Sequence, residues 1–157
     1  MAYIRFSWLA LAGLLSWSAH ASDLHAGYYY PEPQTREVYA SEIEQAVDAT
    51  EGSRAAFVVG LAAQHLDQGY APGYHLFAKG EHLEKLIIVG TTEGRYNTLF
   101  RMRAMLASLT SRARATPLFS QIDRPYELNF LDFCKLMGFR QVTVSDGDKV
   151  AHQIKIR

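Results

Sequence analysis

Apolar positions in this chain recur with two periods, and the periods define its elements. Leu99, Met102, Leu106, Leu109 and Ala113 share one stripe at 3.6-residue spacing, which predicts a helix over 98–114. Asn97 is its expected cap, and Pro117 stops the chain soon after. Ala55, Phe57, Val58, Leu61, Ala62, His65 and Leu66 predict a second helix, with Ser53 as cap and Gly69 and Pro72 beyond its end. A shorter helix is expected over 129–137, closed by Gly138 in the left-handed region. Strand spacing appears in 74–79 and 85–89. The run Leu86-Ile87-Ile88-Val89 has no polar break, as in a strand covered on both faces, and the short link 80–84 makes the pair an antiparallel hairpin.

The C-terminal stretch predicts a second hairpin, because Val142 and Val144 alternate with polar residues, as do Val150, Ile154 and Ile156. A three-residue loop, Asp146-Gly147-Asp148, places Val144 opposite Val150 and keeps the apolar sides together. The same alternation puts His152 on the core face, opposite Val142. Residues 36–49 are ambiguous: Val38, Ile43 and Val47 allow a helix, while 36–39 can start a strand. The expected fold is α+β: a mostly antiparallel sheet of about four strands, with two or three helices packed on it.

The N-terminus reads differently. Arg5 is the only charge in a leader whose apolar run, 6–17, is followed by Ala19-His20-Ala21. That is the three-part pattern of an export signal cut after Ala21, and the run is shorter than the roughly 20 residues of a spanning helix. The expected organisation is a signal peptide (1–21), an extended Tyr/Pro-rich arm (22–35) and one α+β domain (36–157). The arm holds Tyr28-Tyr29-Tyr30 with Pro31 and Pro33, and is read as a surface strap with a partly buried side. A periplasmic or secreted protein follows, with no transmembrane segment in the mature chain.

Composition narrows the function classes. The 157 residues carry 16 basic and 16 acidic side chains, a balance that argues against a general nucleic-acid binder. A single cysteine, Cys134, excludes a disulfide framework within the chain and a thiolate zinc site; its apolar neighbours predict a buried, inert thiol, with a disulfide between chains as the alternative. Charge is nonetheless divided. Residues 22–94 have 4 basic and 11 acidic groups, and residues 95–157 have 11 basic and 5 acidic. Either the halves pair with each other, or they form a two-faced surface that orients on anionic envelope material.

Candidate chemistry is sparse. The turn 90–97, at a strand–helix junction, is where anions bind, but its glycine spacing differs from that of a phosphate loop, and Glu93 would repel phosphate. Arg101 and Arg112 lie on one flank of the long helix; Arg103 and Arg114 lie on the other. They are a basic rim for a carboxylate or phosphate, or stems that cover apolar surface while their heads pair with acids. His152 is either a satisfied core imidazole or the base of a small hydrolase with Ser145 and Asp146 near in sequence. No His-x-x-x-His or carboxylate-loop spacing points to a metal, and no cofactor is implied. The candidate ligand-binding residues are therefore Arg95, Arg101, Arg103, Lys79 and His152, with no catalytic residue assigned.

Five stretches resemble a family of small exported bacterial proteins, some labelled molybdopterin-guanine dinucleotide biosynthesis protein A. They are Phe77-Ala78-Lys79-Gly80, Glu84-Lys85-Leu86-Ile87-Ile88-Val89, Arg101-Met102-Arg103-Ala104, and Ser145-Asp146-Gly147 with Ala151-His152-Gln153. The likeness covers most of the mature chain and implies export without implying any catalytic residue. The nucleotidyltransferase pattern Leu-Ala-Gly-Gly-x-Ser-x-Arg is approached only by Leu11-Ala12-Gly13-Leu14-Leu15-Ser16, which lacks its second glycine and its arginine. The expected function is that of an exported binding or accessory protein, its partner an envelope protein or a small anionic ligand. The alternatives are a small hydrolase-like enzyme built on His152 or the arginines, and a peripheral binder of anionic membrane through the basic half.

Overall fold

The computed structural model describes residues 30–46, 48–64, 69–92, 94–119, 122 and 125–157. The expected export signal (1–21), most of the expected Tyr/Pro-rich arm (22–35), His65 and Glu93 lie outside the described residues. The elements run β1 (Thr35–Tyr39), α1 (Glu51–Ala63), β2 (Tyr74–Lys79), β3 (Lys85–Gly90), α2 (Leu99–Arg114), α3 (Phe130–Leu136), β4 (Gln141–Ser145) and β5 (Ala151–Ile156). Two single-turn 3-10 segments, Pro117–Phe119 and Pro125–Glu127, link α2 to α3.

The fold is α+β, as expected, but the sheet is five-stranded and mixed, in the order β1-β5-β4-β3-β2. The expectation of about four mostly antiparallel strands is corrected in two ways. Residues 35–39 add an edge strand parallel to β5, and β3 pairs parallel with β4. Only the two hairpins, β2–β3 and β4–β5, are antiparallel. Hairpin partners are neighbours in sequence and leave a local trace. Parallel partners need a long crossover, here α2 and α3 between β3 and β4, which leaves none.

All three helices pack on one face of the sheet. Phe57 and Leu61 of α1, Met102, Met105 and Leu109 of α2, and Phe130 and Phe133 of α3 join Leu86, Ile88, Val142, Val144, Ile154 and Ile156 in one buried cluster. Aromatic rings fill its centre: Phe119 meets Phe133 at 4.3 Å between centroids and Phe57 edge-on at 5.5 Å. Cys134 is free and fully buried in this cluster, and burial pushes its thiol pKa well above the usual range. The odd residues of β3, Ile87 and Val89, are buried too, but on the opposite face and outside that cluster. Both faces of β3 are thus covered, as its unbroken apolar run required.

Helix caps sit close to the expected positions. Helix α1 begins at Glu51 because Thr50 is its cap, and Ser53, expected as the cap, instead completes a capping box as its third residue. Thr98, not Asn97, caps α2; Asn97 accepts from the Arg101 guanidinium. Asn129 caps α3 with Asp132 completing the box, and Gly138 follows at φ +81°. The last hairpin is longer than expected. Val144 pairs with His152, not Val150, and the connection is five residues because Asp146 Oδ1 accepts from the backbone N–H groups of Asp148, Lys149 and Val150. The slip is two residues, so every side chain keeps its predicted face.

Candidate functional site

The expected site residues separate into three places. Arg95 and Arg101 flank a shallow depression on α2 with Tyr96, Ala104, Met105 and Ser108. Arg101 already donates to Gly94 O (2.8 Å) and Asn97 Oδ1 (3.0 Å), and Arg95 lies over the Tyr96 ring. The first of these arginines is therefore spent on tying the turn 94–97 to the helix it precedes.

Arg103 and His152 are brought together, with Glu37 between them. Arg103 donates to Glu37 Oε2 at 2.6 Å, and His152 Nε2 lies 3.3 Å from Glu37 Oε1, a close polar contact without the alignment of a hydrogen bond. His152 Nδ1 meets Thr35 Oγ1 at 2.7 Å. The imidazole is buried on the core face, as the alternation predicted, and both its partners come from β1, 115 or more residues away in sequence. Burial would push the Glu37 carboxyl up, but the hydrogen bond and charge of Arg103, together with the adjacent His152 ring, outweigh it and hold it below the usual carboxylate range. Ser145 and Asp146 take no part: Ser145 accepts from Gly147 N–H and Asp146 organises its own loop. Here an acid of the first half meets a base of the second, so at this point the divided charge pairs within the fold.

Lys79 stands apart from both groups, at the end of β2 opposite Lys85. It leads to the third place, a cleft of about 520 Å³ at the lower end of the sheet. Four cationic side chains line it, Arg54, Lys85, Arg140 and Lys155, against two acids, Glu81 and Glu84, together with Gln45, Gln141 and His82.

Local structure explains why the cations face the cleft. Gly80 (φ +100°) and Leu83 (φ +56°) fold the β2–β3 link back on itself, and a side chain at Gly80 would collide with the Glu84 carboxylate. That carboxylate accepts from the His82 backbone N–H at 3.0 Å. Its own backbone N–H and that of His82 hold its pKa below the usual range despite partial burial, so it is ionised but turned into the loop. The Glu84 carbonyl accepts from Arg140 N–H at 2.8 Å, and Ile156 N–H donates to the Arg140 carbonyl at 3.0 Å. The backbone of Arg140 is thereby fixed between β3 and β5.

Arg54 forms the wall. It is only 7% exposed and donates to the carbonyls of His82 (2.9 Å), Ala49 (3.1 Å) and Met137 (3.4 Å). Gly138 leaves room for it: a side chain there would meet Arg54 and Gln45. Outside this wall, Lys85, Arg140 and Lys155 make no ion pair among the described residues, and Lys85 and Lys155 are exposed. Cations around a partly enclosed cleft, with amides beside them, suit a carboxylate or phosphate.

Of this cleft, sequence reasoning named only the neighbouring Lys79. Strand alternation does put Lys85 and Lys155 opposite the core residues Leu86 and Ile154. What it cannot do is place β3 two strands from β5, since that depends on the parallel β3–β4 pairing. Among the described residues no group of three or more His, Cys, Asp or Glu side chains could hold a metal ion, and no helix is long and apolar enough to cross a membrane. Comparison of the chain with protein-family models, with curated proteins and with solved structures found no match.

Proposed function

We propose that this chain is an exported binding protein of the cell envelope that captures an anionic ligand, or an anionic group on a partner, in the cleft lined by Arg54, Lys85, Arg140 and Lys155. The observation that carries the reading is the convergence on one cleft of three cations that make no ion pair among the described residues, beside an acid, Glu84, that is committed to its own loop. Three ammonium and guanidinium groups held together repel one another, and an anion relieves that repulsion. The export pattern of the leader fits a role in the envelope. Isothermal titration with tripolyphosphate at low ionic strength tests it. Binding that weakens with salt and is lost in Lys85→Gln/Arg140→Gln supports the assignment; equal binding by the double variant refutes it.

A second reading, a small hydrolase, draws on one observation. Thr35 Oγ1, His152 and Glu37 form a chain of contacts in the order a hydroxyl nucleophile, a base and an orienting acid take. Against it, Glu37 is also held by Arg103, and among the described residues neither Thr35 nor His152 lines any of the main clefts. The cluster fits better as the polar anchor of edge strand β1. No ester hydrolysis by the parent chain, or hydrolysis retained in His152→Asn, excludes this triad as a catalytic centre; loss in the variant without unfolding would revive it.

A further inference from the structure

The cleft is lined by Lys85, Gln141 and Lys155 from the sheet face opposite the described helices. Lys85, Gln141 and Lys155 are register partners, and the row continues to Lys79 on β2 and Val38 on β1. The next row on this face is Phe77, Ile87, Thr143, Gln153 and Arg36, and the one after it holds His75, Val89, Ser145 and Ala151. No acidic residue occupies any of these positions. The acid of β1, Glu37, points to the helix side, where it meets His152 and Arg103. Charge is therefore divided by sheet face as well as by chain half.

Access to this face is graded. The two upper rows are sealed at their centres, with Ile87, Val89, Thr143, Ser145 and Ala151 all buried. The lower row is open at Lys85 and Lys155, and Gln141 between them is half-buried. Strands lie about 4.8 Å apart, so Lys85 and Lys155 are separated by about 10 Å at the backbone. Both ammonium groups are best served by a ligand that presents two charges about that far apart, with hydrogen-bonding groups between them for the oxygen and second N–H of the Gln141 amide, whose first N–H donates to Thr143 Oγ1 at 3.2 Å. A single compact anion meets Arg140 and one lysine, and leaves the other lysine in water. Beside this row Phe77 is 37% exposed and tilts against His75, ring centroids 6.3 Å apart, offering an apolar ring face next to the cations. Amide, ring face and spaced cations together match sugar units that carry carboxylates better than they match a chain of bare phosphates.

Building on the anion-binding cleft, we infer that its ligand is a linear acidic polysaccharide. The polymer crosses β3, β4 and β5 along the Lys85–Gln141–Lys155 row, with one carboxylate at Arg140 and Lys85 and the next at Lys155.

Titration of the purified chain with mono-, tri- and hexagalacturonate, tripolyphosphate and uncharged maltohexaose tests this. Affinity should rise about tenfold or more from monomer to hexamer, because a second carboxylate on one chain binds at high effective concentration. Lys155→Gln should reduce hexamer affinity more than monomer affinity, and Phe77→Ala should weaken the hexamer without changing tripolyphosphate binding. Circular dichroism of each variant verifies that it folds. If galacturonate binds with no gain in length, the polymer inference fails and the anion cleft stands. If tripolyphosphate gains over the hexamer and Phe77→Ala changes nothing, the ligand is not a polysaccharide. Equal binding of maltohexaose removes charge as the basis and overturns the inference. If none of the anions binds, the cleft assignment falls, and this inference with it.

Discussion

Replacing Arg54 by alanine should destabilise the protein by about 2–3 kcal/mol. The side chain is 7% exposed and donates three hydrogen bonds, to carbonyls at the end of the 41–50 segment, in the β2–β3 link and at the end of α3. Hydrogen bonds to a charged group contribute about 1.5–3 kcal/mol each, and a buried carbonyl left without a donor costs about 1–3 kcal/mol. Only the Met137 bond is fully buried, and at 3.4 Å it is long; water can replace the arginine at the other two carbonyls. Freeing the side chain returns up to about 2 kcal/mol of rotamer entropy, which brings the sum down to the stated range. For a chain of this length that is about 6–9 °C in Tm. Thermal and urea unfolding followed by circular dichroism measure it, and Arg54→Met, which keeps the apolar stem, separates the hydrogen bonds from packing. Arg54→Lys should recover only part of the loss, because one ammonium cannot fork to three carbonyls. A Tm within about 2 °C of the parent for Arg54→Ala would refute the claim that this guanidinium pins three segments together.

Two further outcomes follow from the polar contacts. The Glu37 carboxyl is held below its usual range in the fold, so its contribution to stability is present above the unfolded-state carboxylate range and is lost as pH falls through the lower folded value. Glu37→Gln should therefore be less stable than the parent near neutral pH, and the difference should vanish on strong acidification. Urea midpoints across a pH series give the comparison, and a constant difference at every pH contradicts the contact with Arg103 and His152. Thr50→Ala removes the cap of α1 and one half of its capping box, at a cost of about 1 kcal/mol, whereas Asn97→Ala leaves the cap of α2 in place and should cost less. Paired chemical denaturation of the two variants decides the order.

Local signals in the chain carried much of the fold. The stripe on α2 named Met102, Leu106, Leu109 and Ala113, all buried, and the unbroken β3 run identified a strand covered on both faces. Gly138 was legible as the end of α3, because a residue at φ +81° favours glycine. Strand β1 was only one of two options, since Thr35–Tyr39 has a single exposed apolar residue, Val38, and is held by polar contacts across the sheet. Those contacts join residues more than a hundred positions apart, and nothing in local periodicity encodes them. The cleft was illegible for the same reason. Lys85 and Lys155 belong to β3 and β5 and Arg140 directly precedes β4, strands whose order is set by a parallel pairing, and Arg54 belongs to a helix whose other buried residues are apolar. The arginines of α2 stand out in sequence because they cluster there. In the fold Arg101, Arg103 and Arg114 each hold a carbonyl, an amide oxygen or a carboxylate of the chain itself.

Amide chemical-shift mapping of the isotopically labelled chain during titration with hexagalacturonate tests anion capture at the lower end of the sheet most directly. The account predicts saturable shifts concentrated at Lys85, Arg140, Gln141 and Lys155, reversed by added salt, with Arg95 and Arg101 unmoved. Shifts scattered over α2, or none at all at the lower ends of β3, β4 and β5, would contradict it.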